Sequence, residues 1–193
     1  WYRKAFRLPA SARGRKVFLE FEGVYRNSEV WLNGRRIGGW PYGYTSFELD
    51  ATAPARYGDA PNVLAVRVDN SQQPGSRWYS GSGIYRHTWL TLTDPLRVGQ
   101  WGTCITTPVV DRDSAVVQIR TTVVSDRLDR VEFALVTTIE GPNGAAAGEA
   151  VSRHEAEPGG ETTVFQTVEV AAPRLWSTER SEERRVGKEC TIQ

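Results

Sequence analysis

Apolar residues in this chain recur at every second position, in short runs broken by Gly, Pro, Asn and Asp. In KVFLEFEGV, Val17, Leu19 and Phe21 alternate with Phe18, Glu20 and Glu22. In NVLAVRVDN, Leu64, Val66 and Val68 alternate with Val63, Ala65 and Arg67. A period of two sends alternate side chains to opposite faces, which is the pattern of a β-strand. No stretch before Asp94 sustains a helical period over three turns. EVWLNGRRIGGW sets Asn33–Gly34 between two apolar runs, the strongest short-range hairpin signal. The type I′ turn it predicts needs positive φ at both positions. IYRHTWLTL is a further strand candidate. This part of the chain is expected to be all-β.

A second block follows Asp94–Pro95. SAVVQIRTTVV, RVEFALVTTIE and ETTVFQTVEV are Val- and Thr-rich strands, and GPNGAAAGEA is a hairpin tip leading into an outer strand. Strands at this spacing with no helix predict a second, smaller sandwich. The expected domains are 1–95 and 96–179.

Residues 180–193 differ in character. RSEERRVGKEC packs seven charges into eleven residues and suits neither a strand nor a cap. It resembles, residue for residue, the in-frame translation of a widely used sequencing-library adapter. Residues 180–193 are therefore expected to be read-through and not native, with the native frame cut at Glu179. The chain also lacks methionine and opens on WYRKAF, which reads as a start inside a longer protein.

Composition excludes several function classes. With 24 basic against 23 acidic residues, no electrostatic footprint for nucleic acid or membrane exists. No apolar run of about 18 residues is present to span a bilayer. The two cysteines, Cys104 and Cys190, make neither a disulfide framework nor a metal site, and Cys104 is expected to be a buried free thiol. His87 and His154 fall on separate predicted domains, so no metal and no cofactor is expected. His154 lies in a polar stretch and is expected to be solvated.

FEGVYRNSEVWLNGRRIGG, YGYTSFELD, NVLAVRVDN and RWYSGSGIYRHTWL occur in that order. Together they resemble the N-terminal sugar-binding domain of glycoside hydrolase family 2, which includes β-galactosidases, β-glucuronidases and β-mannosidases. WGTCITTPVV and APRLWSTE resemble that family's immunoglobulin-like second domain, and the resemblance runs through residues 1–179. The wording is most similar to the β-galactosidase branch. The resemblance implies a jelly-roll β-sandwich, lacking N-terminal strand residues here, followed by an immunoglobulin-like β-sandwich and then a (β/α)₈ barrel. It implies a retaining mechanism with two barrel glutamates roughly 5–5.5 Å apart. No catalytic residue is then expected in this chain. Its partners would be a β-glycoside substrate, met through the full-length enzyme, and the barrel, with a homo-oligomer of the parent as a further option. The compartment stays open between periplasmic, secreted and cytoplasmic.

Glu20 and Glu22 are the one carboxylate pair to weigh as a catalytic dyad. Residues i and i+2 of a strand lie about 6.5–7 Å apart, which does not exclude it. Glu22, beside Gly23, is better read as paired with an arginine. RWYSGSGIYRH is richer. A pyranose ring shows an apolar C–H face and a hydroxyl rim, so its sites mix aromatic platforms with planar hydrogen-bonding groups. Trp78, Tyr79 and Tyr85 supply rings, and Arg77 supplies several donors in a fixed fork. Two roles are open to this segment. Ile84, Trp89 and Leu90 are expected to build sandwich core, with Tyr85 and Arg86 as framework. In the family the segment lies near the barrel mouth, which makes Arg77, Trp78, Tyr79, Asn70 and His87 the candidate substrate-binding residues. Some relatives carry an acidic residue near Arg77 or His87, and neither is acidic here.

Two classes of protein remain. One is the non-catalytic front of a retaining exo-glycoside hydrolase, β-galactosidase-like. The other is a free-standing carbohydrate-binding or adhesive two-sandwich protein.

Overall fold

A computed structural model describes residues 1–72 and 78–175 of the chain. Arg77, Cys190 and the segment expected to be read-through lie outside the described residues. The chain divides into two compact units, Trp1–Asp94 and one beginning at Pro95.

Among its described residues the first unit holds nine strands: β1 (Tyr2–Phe6), β2 (Lys16–Phe21), β3 (Val24–Tyr25), β4 (Ser28–Leu32), β5 (Arg35–Trp40), β6 (Phe47–Asp50), β7 (Asn62–Arg67), β8 (Gly83–Ile84) and β9 (Thr88–Thr93). One sheet runs β1-β7-β4-β5, a second runs β6-β2-β9, and β3 pairs with β8 in a small ribbon. All these pairings are antiparallel. The single helical element among the described residues is a 3₁₀ turn at Ala10–Ala12. The fold is the expected jelly-roll sandwich.

The period-two reading explains its core. Val17, Leu19 and Phe21 from β2 meet Val30 and Leu32 from β4 and Leu64 and Val66 from β7, all buried. Phe21 stacks on Phe47 with ring centroids 5.0 Å apart. Side chains of this size stabilise by about 1.5–3 kcal/mol each when fully buried. The Asn-Gly hairpin forms as predicted. Leu32 faces Arg35 across a two-residue loop, and φ is 53° at Asn33 and 83° at Gly34.

β9 corrects one expectation. Trp89 and Leu90 do not build the core: they are 52% and 41% exposed. Trp89 lies in register with Glu20, on the face of β2 opposite the buried Val17, Leu19 and Phe21, and Leu90, which faces Leu19, sits on a strand paired on one side only among the described residues. Ile84 is half-buried and packs on the core as expected.

The second unit is the immunoglobulin-like sandwich. It contains β10 (Leu96–Val110), β11 (Ser114–Ser125), β12 (Val131–Glu140), β13 (Ala146–Ala156) and β14 (Glu161–Ala171). One sheet runs β10-β11-β14 and the other pairs β12 with β13. Val123, Phe133, Leu135 and Val164 form its core. The Gly141–Ala145 turn closes the β12–β13 hairpin through Gly141 N donating to Ala145 O at 2.8 Å.

Cys104 is exposed, not buried. It lies in register with the exposed Arg120, which in turn faces the exposed Phe165, so all three occupy the outer row of the sheet. His154 is half-buried rather than solvated. Its ring lies 5.7 Å from that of Phe133, and its Nε2 is 2.8 Å from Ser152 Oγ. No helix among the described residues is long and apolar enough to cross a membrane.

Candidate functional site

The loops around β3 and β8 gather an unusual number of exposed rings. Tyr25 ends β3, Tyr42 and Tyr44 lie between β5 and β6, and Trp78 and Tyr79 lie between β7 and β8. Trp78 is 62% exposed and Tyr79 is fully exposed. Trp78 Nε1 donates to Tyr44 Oη at 3.1 Å. The Tyr44 ring lies 5.3 Å from Tyr25 and 5.6 Å from Tyr42.

Backbone geometry holds these rings in place. A Cβ on Gly43 would stand 2.2 Å from Tyr25 Cδ2, so only glycine lets the loop lie against that ring. Tyr85 Oη donates to Gly43 O at 2.8 Å. Asn27 N donates to Pro41 O at 3.2 Å, and Trp40 Nε1 to Thr45 Oγ1 at 2.9 Å. A hydrogen bond from Ser80, helped by Tyr44 and by Arg26, draws the Tyr25 phenol below the usual tyrosine range.

Among the sequence candidates, Trp78 and Tyr79 sit on this loop cluster. Asn70 is half-buried at the start of the β7–β8 connection. His87 is engaged elsewhere. Its Nδ1 lies 3.0 Å from Glu22 Oε2, while Trp89 Nε1 donates to Glu22 Oε1 at 2.8 Å. The partners of Glu22 are thus an indole and an imidazole, not the expected arginine. The Trp89 bond first, then His87, holds the Glu22 carboxyl below its usual range. That suits an acceptor and is the reverse of what a general acid needs. Glu20 faces Glu48 and Trp89 across its two ladders. Among the described residues, no group of three or more His, Cys, Asp or Glu side chains is placed to hold a metal.

The sequence reading missed Tyr25, Tyr42 and Tyr44. The signal that could have found the last two is Tyr-Gly-Tyr in YGYTSFELD, where two rings flank a glycine inside a polar turn.

Fold and loops define an all-β, two-sandwich protein carrying an exposed aromatic cluster on its first sandwich. Residues 1–99 match the family described as glycosyl hydrolase 2 galactose-binding domain-like, and residues 102–182 match glycosyl hydrolases family 2. The chain belongs to glycoside hydrolase family 2. It is 46% identical over 176 residues to beta-galactosidase BoGH2A of Bacteroides ovatus, covering 91% of this chain and 21% of that protein. It is 30% identical over 199 residues to a beta-glucuronidase of Formosa agariphila, covering 92% of this chain and 20% of that one. Among solved structures, a family 2 member from Bacteroides cellulosilyticus superposes with a TM-score of 0.89 at 39% identity, over 93% of this chain and 24% of that one. A Bacteroides uniformis beta-glucuronidase superposes with a TM-score of 0.82 at 28% identity, over 93% and 23%. The chain thus spans about a fifth of the length of the curated relatives it matches.

Proposed function

We propose that this chain is the non-catalytic N-terminal portion of a retaining exo-β-glycosidase, β-galactosidase-like, whose two sandwiches support a catalytic barrel and help shape its sugar subsite. The observation that carries this reading is the family match, which runs through both sandwiches in order. The described residues contain no α-helix, so they form no (β/α)₈ barrel. The one nearby carboxylate pair is tied into a ladder and an indole–imidazole pair. The hydrolytic glutamates then belong to the barrel.

Arg77, Trp78 and Tyr79 form the rim that faces the sugar in this reading, with Asn70 and His87 flanking it. The exposure of Trp78 and Tyr79 supports that role. His87 commits Nδ1 to Glu22 and leaves Nε2 for a hydroxyl. The domain boundary is placed at 95/96.

The test is hydrolytic. The purified 193-residue chain should give no turnover of p-nitrophenyl β-galactoside, and the gene product extended by its genomic downstream sequence should hydrolyse a p-nitrophenyl β-glycoside. Turnover by the 193-residue chain overturns the reading. So does a genomic copy that ends in a stop codon without encoding a barrel, which would instead identify the free-standing binding protein.

A further inference from the structure

We infer that Asn143–Gly144 is a site of spontaneous deamidation in the folded protein, its side-chain amide hydrolysed by solvent water, while the fold shields Asn33–Gly34 from the same reaction. This covalent modification is independent of the hydrolytic reading above.

The chain holds two Asn-Gly pairs, each at the tip of an antiparallel hairpin. Asparagine before glycine favours this chemistry, because glycine has no Cβ to block its own nitrogen as that nitrogen attacks. At the second tip, the Gly144 nitrogen gives its proton to solvent base and bonds to Asn143 Cγ. The Cγ–Nδ2 bond breaks, and the amide nitrogen takes up a proton and leaves as ammonia. Water then opens the five-membered succinimide at either carbonyl, leaving aspartate or isoaspartate. One amide becomes one carboxylate, and nothing is oxidised or reduced.

Backbone geometry does not separate the two pairs. Both glycines are left-handed, with φ 83° at Gly34 and 75° at Gly144. Neither has a heavy atom beyond its chain neighbours within 4 Å of where a Cβ would stand.

The side chains do separate them. Asn143 is exposed, and its Nδ2 has no hydrogen-bond partner among the described residues. Its Oδ1 accepts from Ala145 N at 3.3 Å, which folds the side chain back over the Gly144 peptide. That N–H lies where negative charge develops on Oδ1 as the ring closes, so it favours the attack. Gly144 N donates to Gly141 O at 2.9 Å, a bond inside the Gly141–Ala145 turn. Opening it leaves the Glu140–Ala146 pair and the ladder beyond intact, so the nitrogen is freed at low cost.

Asn33 is tethered. Its amide donates to Pro54 O at 2.7 Å and to Asn62 Oδ1 at 2.9 Å, and its Oδ1 accepts from Val63 N at 2.8 Å. The leaving amide must break both donor bonds, and Cγ is held toward the segment 54–63. Breaking two ordinary hydrogen bonds slows such a step by about 30-fold.

The test incubates the folded 193-residue chain at mildly alkaline pH, quenches it in acid and maps its tryptic peptides by mass. Peptide 131–153 contains Asn143 as its only asparagine, and peptide 27–35 contains Asn33, which fragment masses distinguish from Asn27. Peptide 131–153 should gain a mass unit and split into aspartate and isoaspartate forms. Asn33 should react about 30-fold more slowly. In concentrated urea the tethers are gone, and the two sites should react at comparable rates. Asn143→Gln lengthens the side chain and disfavours the five-membered ring, so the gain in peptide 131–153 should disappear. The substitution lies at an exposed tip and leaves the core untouched. No gain in peptide 131–153 from the folded chain overturns the proposal, as does a gain that persists in Asn143→Gln. Asn33 keeping pace with Asn143 in the folded chain overturns the shielding. A gap of the same size in urea overturns it too, because local sequence would then set both rates.

Discussion

Asn33 serves the first sandwich with both its backbone and its side chain. Its φ of 53° puts it in the left-handed region that the hairpin turn requires. Its amide donates to Pro54 O at 2.7 Å and to Asn62 Oδ1 at 2.9 Å, and its carbonyl oxygen accepts from Val63 N at 2.8 Å. Asn33→Gly should cost about 2 kcal/mol, because the conformation survives and the hydrogen bonds do not. Asn33→Ala should cost about 3 kcal/mol, because a Cβ in that conformation adds strain. Urea denaturation measures both, and equal losses would show that the backbone conformation carries no cost. The turn was legible in the Asn-Gly pair itself. The side-chain partners were not, since they lie 21, 29 and 30 residues away and only the folded sheet brings them close.

At the scale of elements, β14 shows how a polar residue occupies a core position. Val164, Gln166 and Val168 share its buried face. Gln166 Nε2 donates to Leu135 O at 3.0 Å and to Ser152 Oγ at 3.0 Å, and Oε1 accepts from Thr137 Oγ1 at 2.7 Å. These bonds pin the β10-β11-β14 sheet to the β12–β13 pair. Gln166→Leu keeps the approximate volume but strands the Leu135 carbonyl, at a cost of about 2 kcal/mol. The melting transition of the second unit should fall by roughly 10 °C. A melt within a degree or two of the unsubstituted protein would show that the pin contributes nothing. Strand positions were readable here because the period-two pattern is local. Which strands lie at an edge was not, and Leu90 was misplaced for that reason, whereas Cys104 was misplaced because it lies on the outer row of its sheet with Arg120 and Phe165. An alternating pattern says that a residue faces inward, while burial also needs a neighbour on each side.

Across the described residues, Glu22, Asp50, Asp69 and Asp111 are carboxyls held below their ordinary range. Glu22 is held by Trp89 and His87, Asp69 by Ser71, and Asp111 by the backbone N–H groups of Ser114 and Asp113. Partial burial alone would raise the Asp50 carboxyl, but hydrogen bonds from Lys16 and Thr52 outweigh it. A carboxyl depressed in the folded state binds protons more readily when unfolded. Its stabilisation is therefore complete above the unfolded values, near 3.8 for Asp and 4.5 for Glu, and is lost as pH falls through the lower folded values. The thermal midpoint should show no loss from these groups between pH 7 and about pH 5, and should drop below about pH 4. Glu22→Gln should shallow that drop. A midpoint that rises on acidification would contradict the assignment.

Sequence by itself determined the all-β class, the two sandwiches, the hairpin and the family, because each rests on spacing or on a short run of residues. Tertiary structure alone decided which rings meet. RWYSGSGIYR announced exposed aromatics, yet Trp78 finds its hydrogen-bond partner in Tyr44, 34 residues before it in the chain. Glu22 finds His87 and Trp89, 65 and 67 residues further on, where the residues around it suggest an arginine. Local patterns set which face a side chain takes. Its partner on that face is set by the order in which strands and loops come together, and that order is a property of the folded chain.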